Sequence, residues 1–460
     1  MSRENIKLIS INLLFALVVG ILYVFISDRV VAQKAQQIAY IIITIFSLKY
    51  LKSVYGSIVN IHSIFILFII LFGGSRIILD LFDYADMMEE FWFTGNPIPY
   101  DVNLRCILNM NLATSFYTIG AILGYKNSSS TISKRALRIN VSNVTLYSIL
   151  IIGMIVKISY SYMSFTQIVL TGRYLDMYNG EIVINYPYSM KFIAALPMFS
   201  LFVLMSRKKN YLHIAIFIIY ALLDMATGQR GYTILTFVIM YYYLLKKEYI
   251  KFNIVKIASI AVAFMILFTA IGNIRKGEIY EETDSLEFFW SQGISLGVLQ
   301  QTIELKDELE YSILNLWDNV WMLFVQLTDS AMYTKEELRS VLFKPWSAYI
   351  SYMTNASLVA RGNGLGGNHI GQLFAIGGEF AVSIGSILLA QLIAFFDRRL
   401  LSSNLFSTFI AFVCLKSLLY IPRDNIFDFI VDSIYYLAIP FILCYMSKQT
   451  NRTNTKLKTY

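Results

Sequence analysis

Charge is scarce in this chain. Asp, Glu, Lys and Arg make up 15% of its 460 residues, and 57% are hydrophobic. Soluble proteins carry about 25% charged and roughly 45–50% apolar residues, so a division into soluble domains is excluded. Cysteine is also rare: Cys106, Cys414 and Cys444 all lie within apolar runs and form neither a disulfide framework nor a CxxC pattern. With only three histidines there is no HExxH zinc motif, and GxxxxGK[ST], an EF-hand loop and a DxD pair are missing too. The common ways of holding a catalytic metal or a nucleotide are therefore absent.

What the chain has instead is long apolar runs, with a mean hydropathy of +0.59. In lipid, only helices and closed barrels satisfy every backbone group. The runs are continuous rather than alternating, which favours helices. Spans are expected near 8–27, 31–49, 56–78, 104–124, 142–162, 189–206, 211–228, 231–246, 256–273, 371–396, 404–421 and 428–446. The expected fold is all-α and polytopic, with about twelve transmembrane helices of about 20 residues each. The first run is too long for a signal peptide and lacks a small-residue cleavage site, so it reads as an uncleaved helix. The second is diluted at its start by Gln33, Lys34, Gln36 and Gln37. The layout divides into nine helices over 1–273, a large loop over 274–370, and three helices with a tail over 371–460.

The net charge of +8 reflects topology rather than nucleic-acid binding. Alternate connections carry the basic residues: Lys49 and Lys52; Lys126, Lys134, Arg135 and Arg138; Arg207 to Lys209; Lys246, Lys247, Lys251 and Lys256; Arg398 and Arg399; and the basic tail. By the positive-inside rule these face the cytoplasm, with both termini. The other connections hold nearly all the acids and face outward. They include 81–103 with Asp83, Asp86, Glu89 and Glu90, and the long loop. Within that loop, Ile313 to Val325 reads as an amphipathic helix with Trp317 and Trp321 at headgroup level.

Among the arginines on the face that should be poor in positive charge, Arg173, Arg230, Arg275, Arg361 and Arg423 are the candidates. Singly, each could snorkel to the interface. Together they suit phosphate, because guanidinium binds it bidentately, keeps its charge and needs no metal. His369, Glu379 and Asp424 are the candidate bases. His369 is the one histidine on the expected outer face, though it could equally be an interfacial histidine satisfied by a hydrogen bond. Glu379 lies inside a span, where acids are functional by default. Asp224 is a possible partner for Arg230, while Lys157 and Lys416 lie inside spans and should snorkel or pair. Gly362-Asn-Gly-Leu-Gly-Gly367 satisfies GxGxxG but follows no βαβ strand, so its glycines read as backbone freedom.

These features resemble the bacterial O-antigen (oligosaccharide repeat-unit) polymerases over most of the chain. The resemblance lies in the many-span layout with one large late loop, Gly228-Gln-Arg-Gly-Tyr232, Ile274-Arg-Lys-Gly277, Gly366 to Glu379, and Ile421-Pro-Arg-Asp424. Some members carry paired R-x10-G loops. Here Ile184 stands at that spacing from Arg173 and Gln372 from Arg361, so Arg230, Arg275 and Arg423 carry the resemblance better.

The resemblance implies metal-independent glycosyl transfer at the outer leaflet of the inner membrane. A growing glycan would leave undecaprenyl pyrophosphate and join an incoming lipid-linked repeat unit. It implies membrane lipids, a flippase and a chain-length regulator as partners, with no cofactor and no nucleic acid. An O-antigen ligase shares the donor and general layout. A flippase or other transporter is the non-enzyme alternative, but such chains tend to show repeats between halves and midplane sites, and no repeat is seen here.

Overall fold

The computed structural model describes residues 3–88, 90–91, 93–125, 141–171, 188–208, 210–226, 230–255, 285–328, 344–360, 363–402 and 404–457, with a few isolated positions between. Apart from one two-residue ladder it is helical. In chain order the elements are α1 Arg3–Phe25, α2 Arg29–Tyr55, α3 Ile61–Leu81, β1 Glu90–Phe91, β2 Asn96–Pro97 and α4 Tyr100–Gly124. Next come α5 Asn143–Thr171, α6 Tyr188–Arg207, α7 Tyr211–Ala226 and α8 Arg230–Lys246. Then follow α9 Ser285–Gln292, α10 Ser295–Glu304, α11 Asp318–Thr328 and α12 Trp346–Ala360, and last α13 His369–Arg399, α14 Leu405–Leu418 and α15 Asp428–Leu457.

Among the described residues, 8 helices are long and apolar enough to cross a membrane, and two shorter apolar helices cover Tyr211–Met225 and Thr233–Lys246. The protein is a polytopic membrane protein. Most of the span expected at 256–273 lies outside the described residues.

The chain divides into two compact units. The first comprises Met1–Asn127, Met265–Phe395 and Leu418–Asp428; the second comprises the remainder. In the first, the polar start of α2 is explained by its partners. The Gln33 and Gln37 amides donate to the Asp80 carboxylate, and Gln36 donates to the Val19 carbonyl at 2.7 Å. Most buried polar groups are paired, and these glutamine amides join α1, α2 and α3. Small residues let α4 and α13 run side by side in one direction: a Cβ at Gly120 would meet the Ile387 backbone at 2.5 Å, and one at Gly124 would meet the Ala394 Cβ at 2.8 Å.

At one end of this unit sits a folded cap. Phe91, Phe93, Ile98, Val298, Tyr311, Trp346, Tyr349, Ile350 and Leu365 share an apolar core. Residues Ser295 to Ile303, within the expected external loop, are buried throughout. Gly297 and Gly371 permit this, since Cβ atoms there would strike Phe91 at 2.4 Å and Thr302 at 2.9 Å. The run after Ser312 is a short 3₁₀ turn leading into α11. It leaves Ile313, Leu314, Trp317, Trp321 and Phe324 exposed, as an interfacial segment requires.

In the second unit, Gly153 of α5 accepts Pro197 of α6, whose Cδ would lie 2.5 Å from an added Cβ. The Lys157 ammonium pairs with Asp224, and Lys416 donates to the Tyr436 hydroxyl at 3.2 Å. Both lysines inside apolar runs are thus paired. The contacts Arg207–Asn143 and Lys246–Asp397 join helix ends that the charge pattern assigns to the same side. So do Arg29–Asp101 and Lys34–Asp83 in the first unit.

Candidate functional site

The site is built where the cap meets the helices of the first unit. After α14 the chain makes a 3₁₀ turn, Ile421–Arg423, with Pro422 inside it. The glycine-rich segment before α13 packs on this turn. The Gly367 N–H donates to the Arg423 carbonyl at 3.2 Å, and a Cβ at Gly367 would lie 2.6 Å from the Asp424 carbonyl carbon. Gly366 adopts φ +78°, a conformation that favours glycine. Asn368 starts α13, its side chain accepting from the N–H groups of Ile370 and Gly371. On the next turn, Gln372 accepts from the Ile426 N–H at 2.8 Å and donates to the Tyr311 hydroxyl at 2.8 Å. Burial holds the Tyr311 phenol well above its usual pKa, an effect partly opposed by the Gln372 hydrogen bond. The turn carrying Arg423 is therefore fixed from several directions.

Arg423 donates to the Gln292 side-chain oxygen at 2.8 Å, with its guanidinium 5.6 Å from the centre of the Phe72 ring. Arg76, on α3, reaches the same helix end. Its Nε donates to the Trp290 carbonyl at 3.1 Å, and its guanidinium lies 4.6 Å from the Trp290 ring centre. Among the described residues neither arginine pairs with a carboxylate, so two positive charges are held at the C-terminal end of α9 by neutral partners. Arg76 was not picked out from the sequence. It lies inside an apolar run, and the distant Trp290 that orients it carries no local signal.

The other expected site residues are distributed as follows. Arg173, Arg275 and Arg361 lie outside the described residues. Arg230 begins α8, in the second unit, and its side chain also lies outside them. The Asp424 carboxylate accepts from the Asn425 N–H at 3.0 Å, beside Arg423. His369 is 2% exposed against the edge of Phe65, and among the described residues its Nδ1 has no hydrogen-bond partner. That burial does not favour a base working on a bulky acceptor. Glu379 receives two hydrogen bonds from Arg105 of α4, at 2.6 and 3.2 Å. Arg105 is a second cation that a hydropathy reading absorbs into a span. Among the described residues no three His, Cys, Asp or Glu side chains gather as a metal site would require.

A helical membrane protein with guanidinium groups held ready at one end suits an anionic, lipid-borne ligand. The family model for O-antigen polysaccharide polymerase Wzy matches residues 8–454, nearly the whole chain. The chain belongs to this family. No curated protein and no solved structure matches it. As an O-antigen polymerase it belongs to polysaccharide biosynthesis and works in a membrane on lipid-linked repeat units. The match covers both units, and with them Arg76, Arg105, Glu379 and Arg423.

Proposed function

We propose that this polymerase transfers a growing glycan from undecaprenyl pyrophosphate to the non-reducing end of an incoming lipid-linked repeat unit, at the outer leaflet of the inner membrane. The observation that carries this reading is the pair Arg76 and Arg423, both anchored on one helix end by neutral groups. A pyrophosphate there finds two forked donors that no described carboxylate already occupies. As the bond between the sugar and the pyrophosphate breaks, charge builds on the leaving oxygen, and prepositioned guanidinium groups stabilise it without reorganising. The acceptor hydroxyl passes its proton to a carboxylate, Asp424 or Glu379. Arg173, Arg230, Arg275 and Arg361 are further candidates for holding pyrophosphate or glycan. The cap faces outward and both termini face the cytoplasm, supported by the basic connections at the opposite helix ends. A flippase supplies the substrate and a chain-length regulator limits the product.

The test is the surface polysaccharide of a deletion strain complemented with wild-type or variant protein. Loss of the protein collapses the ladder to core plus one repeat, and Arg423→Gln or Arg76→Gln fails to restore it. Loss of even the single repeat would point to ligation or flipping and overturn the reading.

A further inference from the structure

A second cationic cluster lies in the first unit, on residues that take no part in the contacts at the α9 end. Arg105 of α4 and Lys306, in the turn after α10, both stand over the Phe374 ring, at 4.9 and 5.5 Å from its centre. Glu379 binds Arg105 through both carboxylate oxygens. Among the described residues Lys306 makes no ion pair. Asp307 is close enough to act on Arg105 and lies in an exposed acidic turn.

Two further features mark this as more than a structural ion pair. The first is a break in α13. Gly377 and Gly378 leave helical geometry, Gly378 with φ 61° and ψ −151°, and a Cβ at Gly378 would meet nothing within 4 Å. Glu379 therefore opens a new helical stretch. A helix start adds positive potential to that of the two cations, and broken helices in membranes are tolerated where they line a polar cavity. The second is exposure. The Arg105 and Glu379 side chains are 30% and 33% exposed, beside the exposed turn that carries Lys306 and Asp307. The ion pair is therefore open on one side, where an incoming anion can reach Arg105.

We infer that Arg105, Lys306 and the helix start at Glu379 form a second anion site, which takes the phosphate group of a lipid-linked substrate, with Glu379 as the resident counter-ion of the empty site. This rests on the proposed transfer between two lipid-linked pyrophosphates, which requires two such sites; the α9 end supplies the other. A phosphate group arriving on Arg105 and Lys306 takes over the guanidinium fork from Glu379. Removing the carboxylate should then strengthen binding, whereas a purely structural pair predicts no such gain.

The experiment titrates the intact protein, in phosphatidylcholine nanodiscs, with farnesyl pyrophosphate by calorimetry, and with inorganic pyrophosphate in parallel. Wild type is expected to bind two farnesyl pyrophosphates. Lys306→Gln, at an exposed position that tolerates the change, loses or weakens one by about tenfold, the size of one charge-assisted hydrogen bond. Glu379→Gln keeps both and tightens one by a similar factor. Inorganic pyrophosphate binds that site at least about tenfold more weakly, because the prenyl chain contributes buried apolar area. Equal affinity for the two probes overturns the lipid assignment. A single site lost in Arg423→Gln but unchanged in Lys306→Gln overturns this inference and leaves the proposed function standing. No binding by wild type overturns both.

Discussion

Arg423 and Gln292, far apart in sequence, meet through a 2.8 Å hydrogen bond that fastens the 3₁₀ turn before α15 to the end of α9. Arg76 grips the same helix end through the Trp290 carbonyl. Each arginine is oriented by a neutral group, and among the described residues neither pairs with a carboxylate.

Replacing Arg423 or Arg76 by Gln should lower polymerisation by about 10²–10³-fold, the loss typical of one group that stabilises transition-state charge. The fall should be in kcat more than in KM, measured with purified protein and lipid-linked repeat units. Arg423→Lys should recover only part of the activity, since an ammonium lacks the fork. Normal kcat in both Gln variants would remove the arginines from the mechanism.

In the second unit, the Lys157–Asp224 pair is nearly buried, with side chains 10% and 11% exposed. Lys157→Met removes the ammonium from a buried carboxylate, a change that costs roughly 3–5 kcal/mol. The thermal transition in detergent should fall clearly. The double variant with Asp224→Leu should recover much of the loss, because replacing both partners leaves no lone charge. A double variant less stable than either single one would mean that the pair serves the fold in some other way.

Gly367→Ala places a Cβ against the Asp424 backbone, at 2.6 Å from its carbonyl carbon. Backbone cannot yield as a side-chain tip can, so overpacking here should cost about 1–3 kcal/mol and displace the Arg423 turn. Activity should fall together with the thermal midpoint. Gly364→Ala serves as the control, since its Cβ would meet only the Ser351 hydroxyl at 3.7 Å.

Tyr311 sets a pH limit. Its phenol is raised above the usual value by burial, while the unfolded chain titrates near pKa ~10. The stability it contributes is full below pH ~10 and is lost as pH rises above that value, because only the unfolded state then releases the proton. A denaturation series across pH 8 to 11 should show a steeper alkaline loss in wild type than in Tyr311→Phe. At neutral pH that variant should be about 1 kcal/mol less stable, through the unpaired Gln372 amide.

Much of this molecule can be read directly from its residues. Apolar runs long enough to span a bilayer are a local property, so α1 to α6, α13 and α14 stand close to where hydropathy places them. Basic connections also alternate locally, and contacts such as Lys246–Asp397 join ends of matching charge assignment. Arg423 and Glu379 were visible because a charge at the edge of, or within, an apolar run stands out. Residues 371–396 read as one continuous span, so the break at Gly377-Gly378 came only from the structure.

What local pattern could not supply was partnership. Arg105 reads as one charge diluted in a span until Glu379 and Phe374 are folded against it. The polar start of α2 weakens the case for a membrane helix until Asp80 receives its glutamines. Residues 295–303 read as part of a loop until Gly297 and Gly371 open room for them to be buried. The sequence by itself determined a helical membrane protein with a fixed alternation of basic and acidic connections, because span length and charge placement act residue by residue. Only the tertiary structure decided which charges are neutralised and which stay available to a ligand, because burial and pairing depend on neighbours brought in from far along the chain.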